Sequence, residues 1–209
     1  MSETEDSQEG AATSNDKKSP TAEDVFKVAI AVIPDVLYFA RLSQPPPDLP
    51  NIFAFSTDAE LVYDSFFDDF GPLNIAKVYR YCEKIGRLSA NVPSARKLLH
   101  YSSQNDDRKF VNAAWLVGAY SILKLGKSPE EALALLQSSS AKEFMGFRDA
   151  SCGTSTYNLA LRECLFALSK AVQQEFFSYE KFNLQEYEYY ERVENGDFNW
   201  ITPKFLAFW

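Results

Sequence analysis

Histidine and cysteine are scarce in this sequence. One histidine, His100, and three cysteines, Cys82, Cys152 and Cys164, occur in 209 residues. A single histidine excludes a histidine-rich zinc site, and no Cys-x-x-Cys pair exists to replace it; no metal or cofactor is expected. An odd, sparse cysteine count fits a reducing compartment and argues against a disulfide framework. Cations are also short: 21 Lys and Arg face 29 Asp and Glu, for a net charge of -8. Phosphate-backbone binding needs clustered Lys and Arg, so nucleic acid is not an expected partner. Neither is an anionic membrane surface. No apolar run of about 18 residues occurs, which excludes an apolar spanning helix. The start, MSETEDSQEG, lacks the basic and apolar regions of a secretory signal.

Apolar and aromatic residues are plentiful. Hydrophobic residues make up 46% of the chain, and 17 Phe and 11 Tyr promise a large, ring-rich core. The length suits one large domain or two small ones. Charge is uneven. Residues 1–24 and residues 175–197 each carry seven acidic and two basic residues, while 25–174 are nearly balanced. Residues 1–21 have no aromatics and read as a disordered acidic tail. Residues 175–200 interleave Glu with Phe and Tyr rings, which points to a folded stretch with an acidic outer face.

Periodicity gives a coarse order. VFKVAIAVI (25–33), 36–42 and Asn51–Phe55 read as strands, with QPPPD at 44–48 a stiff turn. Gly71-Pro72 opens an expected helix with Ile75, Val78, Tyr79, Cys82 and Ile85 on one face. KLLHY (97–101) reads as a short strand, followed by a polar loop at 102–110. A helix with Ala113, Leu116, Val117, Tyr120 and Leu123 inward ends at Gly126. Ser128-Pro129-Glu130-Glu131 is a helix start with a capping box. Residues 144–148 form a strand candidate, and Leu161, Cys164, Leu165, Leu168 and Val172 line a last long helix. Strands first, then alternating helices, predict an α/β or α+β fold without internal repeats.

The unit strand–polar loop–helix–Gly–Ser-Pro-Glu-Glu helix resembles the heart of a dual-specificity phosphatase. FFDDFGPLNIAKVYRYCEKI, FRDASCGTSTYNL and YERVENGDFNWITPKFLAF resemble, more closely, the N-terminal half of the mitotic-exit phosphatases of the cell-division-cycle-fourteen type. The resemblance spans roughly residues 25–208. It implies an α/β phosphatase-like domain, a central mixed sheet flanked by helices, with a degenerate phosphate loop. It also implies two tandem phosphatase-like domains, the first without a working active site, with Trp209 falling near the start of the second. The expected division is a tail at 1–21, a non-catalytic domain at 22–182, and an interdomain linker helix leading to the missing catalytic domain at 183–209.

Cysteine phosphatases need a thiolate nucleophile, backbone N–H groups and an Arg to hold the phosphate, and an Asp to protonate the leaving oxygen. The signature spacing is Cys, five residues, Arg. Six places beyond Cys82, Cys152 and Cys164 stand Leu88, Asn158 and Lys170. At the aligned loop Tyr101 follows His100 where the nucleophile would be. Asp106 and Asp107 would repel a dianion, Arg108 comes one place late, and the loop has no glycine. The chain alone is expected to be inactive. His100 as a general base is weighed against a strand-end histidine bonded to backbone. Cys152 as a reactive thiol is weighed against a small buried turn residue. Arg148 and Asp149 are read as an ion pair fixing the turn.

The acidic segment is the other candidate. The resemblance implies phosphoprotein substrates with basic residues after Ser-Pro, and a basic peptide calls for an acidic groove. Glu186, Glu188, Glu191, Glu194 and Asp197 are the expected groove residues, with Glu188, Glu191 and Glu194 sharing one helical face. A solvated acidic helix is the bland alternative. The expected role is a substrate-specificity half of a phosphatase in cell-cycle control and mitotic exit. A stand-alone pseudophosphatase binding module, a short inactive isoform and an enzyme of another mechanism are the alternatives. An exposed apolar face would favour a homodimer. Resemblance alone suggests nuclear, nucleolar and cytoplasmic residence, at the spindle pole or centrosome.

Overall fold

Thr21 opens the described part of the molecule, a computed structural model of residues 21–138 and 143–208. The expected tail at 1–21 therefore lies outside the described residues except for Thr21 itself. Thr21 caps α1 (Ala22–Val28): its hydroxyl accepts from the Asp24 N–H, and the Asp24 carboxylate takes the Thr21 N–H at 3.0 Å. The strand expected at 25–33 is thus a helix followed by a short strand, β1 (Ile30–Ile33). A short apolar run fits either state, and here the capping box and the single buried contact of Val25 favour the helix.

β2 (Leu37–Leu42), β3 (Ile52–Phe55) and β4 (Lys97–Ser103) complete a four-stranded sheet in the order β1-β2-β4-β3. β1 runs antiparallel to β2, and both β2 and β3 run parallel to β4. The central strand β4 faces helices on both sides. Leu99 packs with Val25, Ala40 and Ile52 beneath α1, whereas Leu98 points to the larger core on the other face.

That larger face is covered by α2 (Ile75–Asn91), α3 (Asp107–Leu125), α4 (Pro129–Gln137) and α5 (Leu161–Gln173). The α2 helix begins three residues beyond Pro72, because the Asn74 side chain accepts the Lys77 N–H at 3.0 Å and sets the cap. α3 is buried from Phe110 to Ser121 on every side, so it is the central core helix rather than an amphipathic surface one. Gly126 ends it in the left-handed conformation, φ 65°, as expected of a C-terminal glycine. Ser128 and Glu131 form the expected capping box of α4. At Gly118 an added Cβ would lie 2.6 Å from Leu165 Cδ2, so absence of a side chain sets how closely α3 meets α5.

Within the core, Asn112 is a satisfied polar group. Its amide donates to the Phe70 carbonyl at 2.7 Å and accepts from the Leu73 N–H at 3.1 Å, and Trp115 Nε1 donates to the Leu73 carbonyl at 2.9 Å. These bonds pin residues 70–73 over α3. The strand expected at 144–148 is reduced to β5 (Phe147–Arg148), paired with β6 (Asn158–Leu159). Beyond α5 come α6 (Leu184–Tyr190), a single 3-10 turn (Val193–Asn195), and the hairpin β7 (Phe198–Thr202) and β8 (Phe205–Phe208). α5 is therefore the last long helix, and α6 falls within the expected linker.

Candidate functional site

The turn from β4 into α3 holds the residues expected to form a degenerate phosphate loop. His100 does not end its strand, which continues to Ser103, and its partners are side chains rather than backbone. Nε2 lies 3.0 Å from the Thr57 hydroxyl and Nδ1 3.0 Å from the Tyr81 hydroxyl, in a shell of Phe39, Phe55 and Tyr81 rings. One neutral tautomer satisfies both contacts. Burial, with Lys84 adding a second push, lowers its pKa to about 3. A fully buried neutral imidazole with both nitrogens occupied is a structural group, not a general base. Tyr101, on the next register position of β4, is half-buried.

Three backbone donors of the turn are taken by the chain's own acceptors. Ser103 N–H donates to the Asp58 carboxylate at 2.9 Å, Gln104 N–H to the Leu42 carbonyl at 2.7 Å, and Asn105 N–H to the Ser103 hydroxyl at 3.2 Å. Asp106 is the N-cap of α3 and accepts the Lys109 N–H at 3.1 Å. A helix N-terminus favours an anion, and here the chain's own carboxylate fills that place. Asp107 pairs with Arg41, whose guanidinium also reaches the Gln104 carbonyl at 2.8 Å and stands 4.6 Å from the Phe110 ring. Arg108 turns to Asp68 at 3.2 Å and lies over the Phe70 ring. The cleft beside it, about 180 Å³, is lined by Thr57, Asp58, Tyr63, Arg108 and Asn112 among others.

The acidic segment lies along α2. Glu188 takes a two-pronged contact from Arg80, Nε and Nη2 each at 2.6 Å. Glu191 accepts both its contacts with Asn74 Nδ2, at 2.8 and 2.9 Å, and the Tyr187 hydroxyl at 3.2 Å. Burial raises its pKa against the pull of Asn74 and Tyr187. Glu186 accepts the Asn183 amide and is exposed, as is Glu194. Because α6 stops at Tyr190, Glu194 sits in the separate 3-10 turn and not on a shared helical face. Asp197 adopts φ 49° at the entry to β7. The β7–β8 hairpin leaves Phe205 and Phe208 68% and 75% exposed.

Two expectations are corrected at the 148–155 turn. Arg148 pairs with Asp68 at 3.4 Å and donates to the carbonyls of Asp149, Ser151 and Gly153, while the Asp149 carboxylate binds the Ser151 hydroxyl. Cys152 is exposed rather than buried. Cys82 and Cys164 are buried, and desolvation pushes each thiol up to about 12. Among the described residues no group of His, Cys, Asp and Glu is arranged to hold a metal ion.

Residues 31–171 match the model of the dual specificity protein phosphatase, N-terminal half. The chain belongs to this family. It is 53% identical over 176 residues to dual specificity protein phosphatase CDC14A of Mus musculus, a match covering 83% of this chain and 29% of that protein. It is 52% identical over 176 residues to the Homo sapiens CDC14A, covering 83% and 30%. It is 39% identical over 184 residues to the tyrosine-protein phosphatase CDC14 homolog of Schizosaccharomyces pombe, covering 86% and 34%. The chain thus spans about a third of the length of these relatives. The mixed sheet with flanking helices is the fold of a phosphatase-like N-terminal half.

In this N-terminal half, the residues that decide the two regions include several that sequence reasoning missed. Asp58, Arg41 and Asp68 complete the β4–α3 turn, and Asn74 and Arg80 hold the acidic segment. Each acts across more than 40 residues of chain, or at that span for Asp68. Only Arg41 carried a signal, as a charge at the end of an otherwise apolar strand.

Proposed function

We propose that the chain is the non-catalytic, substrate-specificity part of a dual-specificity protein phosphatase acting on proline-directed phosphosites in cell-cycle control. Cysteinyl-phosphate chemistry then belongs to a separate catalytic domain. The observation that carries the reading is the occupation of the β4–α3 turn. Asp58 and Asp106 carboxylates sit on Ser103 and Lys109 amides, the kind of donor a phosphate loop would offer a dianion. No cysteine stands six residues before an arginine. Recognition falls to the acidic segment, whose exposed Glu186 and Glu194 suit Lys or Arg following Ser-Pro.

The test uses the purified chain. It should release no phosphate from an aryl phosphate, and it should bind a Ser-Pro peptide with trailing lysines less tightly as salt rises. Steady turnover would overturn the non-catalytic reading. Binding equally tight to a peptide with glutamates in place of the lysines would overturn the groove. Binding by the chain alone that a catalytic domain supplied in trans leaves no tighter would favour a stand-alone pseudophosphatase module.

A further inference from the structure

The α6 helix is seven residues long and none of its residues is fully buried. So short a helix does not persist by itself in water, and little apolar burial holds it. Its attachment is polar and runs to α2. Arg80 grips Glu188 through two nitrogens. Asn74 divides its amide between two tasks: Oδ1 caps α2 through the Lys77 N–H, and Nδ2 holds the Glu191 carboxylate. Rings support the contact on one side, where Phe182 bridges Tyr79 of α2 and Tyr187 of α6. The other cation nearby, Lys77, is engaged by Asp64 at 2.9 Å.

We propose that Asn74 and Arg80 are positioning residues for basic-peptide recognition: they fix α6 on α2 and use up Glu188 and Glu191, leaving Glu186 and Glu194 to meet the peptide. The inference rests on the groove reading above. The five acidic residues then divide by role. Two are anchors whose charge is spent within the chain. Two form the peptide-facing pair, and Asp197 sits at the turn into β7.

Four variants of the full chain test this, with amide hydrogen exchange of α6 and the affinity of a Ser-Pro-Lys-Lys peptide as separate readouts. Asn74→Asp keeps the cap acceptor but sets a second carboxylate against Glu191. It should speed exchange across Tyr187–Glu191 and weaken the peptide roughly three- to tenfold. Arg80→Glu should do the same, and adding Glu188→Arg to it should restore both, because the pair is remade with its sign reversed. Glu186→Ala with Glu194→Ala should weaken the peptide and leave exchange unchanged. If Asn74→Asp and Arg80→Glu speed exchange without changing affinity, or leave exchange unchanged, the inference is overturned. Failure of the swap to restore binding would make Glu188 a direct contact and overturn it too. A wild-type chain that binds no basic peptide while α6 stays protected overturns the groove reading itself, a result distinct from the others.

Discussion

Asp58 reaches the end of β4 and accepts the Ser103 N–H at 2.9 Å, together with the Ser102 hydroxyl. Asp106, the N-cap of α3, likewise accepts the Lys109 N–H, so two carboxylates of the chain sit on backbone donors of this turn. Replacing Asp106 by Ala removes the α3 cap and should cost about 1 kcal/mol. It should not create an anion site, since Asp58 remains. Thermal unfolding with and without phosphate checks this. The midpoint should drop equally in both, and a phosphate-dependent recovery would show that the turn can cradle an anion.

His100 predicts a specific pH dependence. Its folded-state pKa, lowered to about 3 by burial, lies below the ordinary value of 6.5. The fold therefore prefers the neutral ring. Its contribution is complete above pH 6.5 and is lost as pH falls from 6.5 toward 3, at up to roughly 1.4 kcal/mol per pH unit. His100→Gln should flatten the difference in urea stability between pH 7 and pH 5. An unchanged slope in the variant would assign the acid sensitivity to carboxylates alone.

Gly118 faces Leu165 Cδ2 at 2.6 Å and Leu136 Cδ1 at 3.1 Å, measured from the Cβ it lacks. Gly118→Val should destabilise the chain by about 1–3 kcal/mol through overpacking. Leu165→Ala in the same chain should recover part of that loss, a non-additivity expected of touching residues. Urea midpoints of the two single variants and the double variant decide it.

The three thiols should react in two classes. Cys152 is exposed, whereas Cys82 and Cys164 are buried with thiols pushed up to about 12. A chromogenic disulfide reagent at pH 8 should modify one thiol quickly and the other two only on unfolding. Cys152→Ser should abolish the fast phase.

Local regularities carried much of the fold in the sequence. The Ser128 capping box, the Gly126 stop and the Leu161–Leu168 stripe each depend on neighbours within one or two turns. The apolar run at 25–33 was ambiguous because helix and strand burial differ only by partners that arrive from elsewhere. The start of α2 depended on one amide, Asn74, over a nearby proline with a stronger signal. Site geometry was least legible. Tyr101, Asp106 and Arg108 could be found by alignment of motifs, but that Arg108 leans on Asp68, or that Arg80 takes Glu188, requires the folded chain. Cys152 was misjudged because turn composition does not fix which way a side chain faces.

The central claim is that this chain reads basic residues and leaves the phosphoryl group to another domain. Its most direct test is a calorimetric titration with four peptides, phosphorylated or not at Ser-Pro, and with lysines or glutamates after it. Affinity should follow the lysines and be indifferent to the phosphate. Binding that requires the phosphate, or ignores the lysines, would contradict the account.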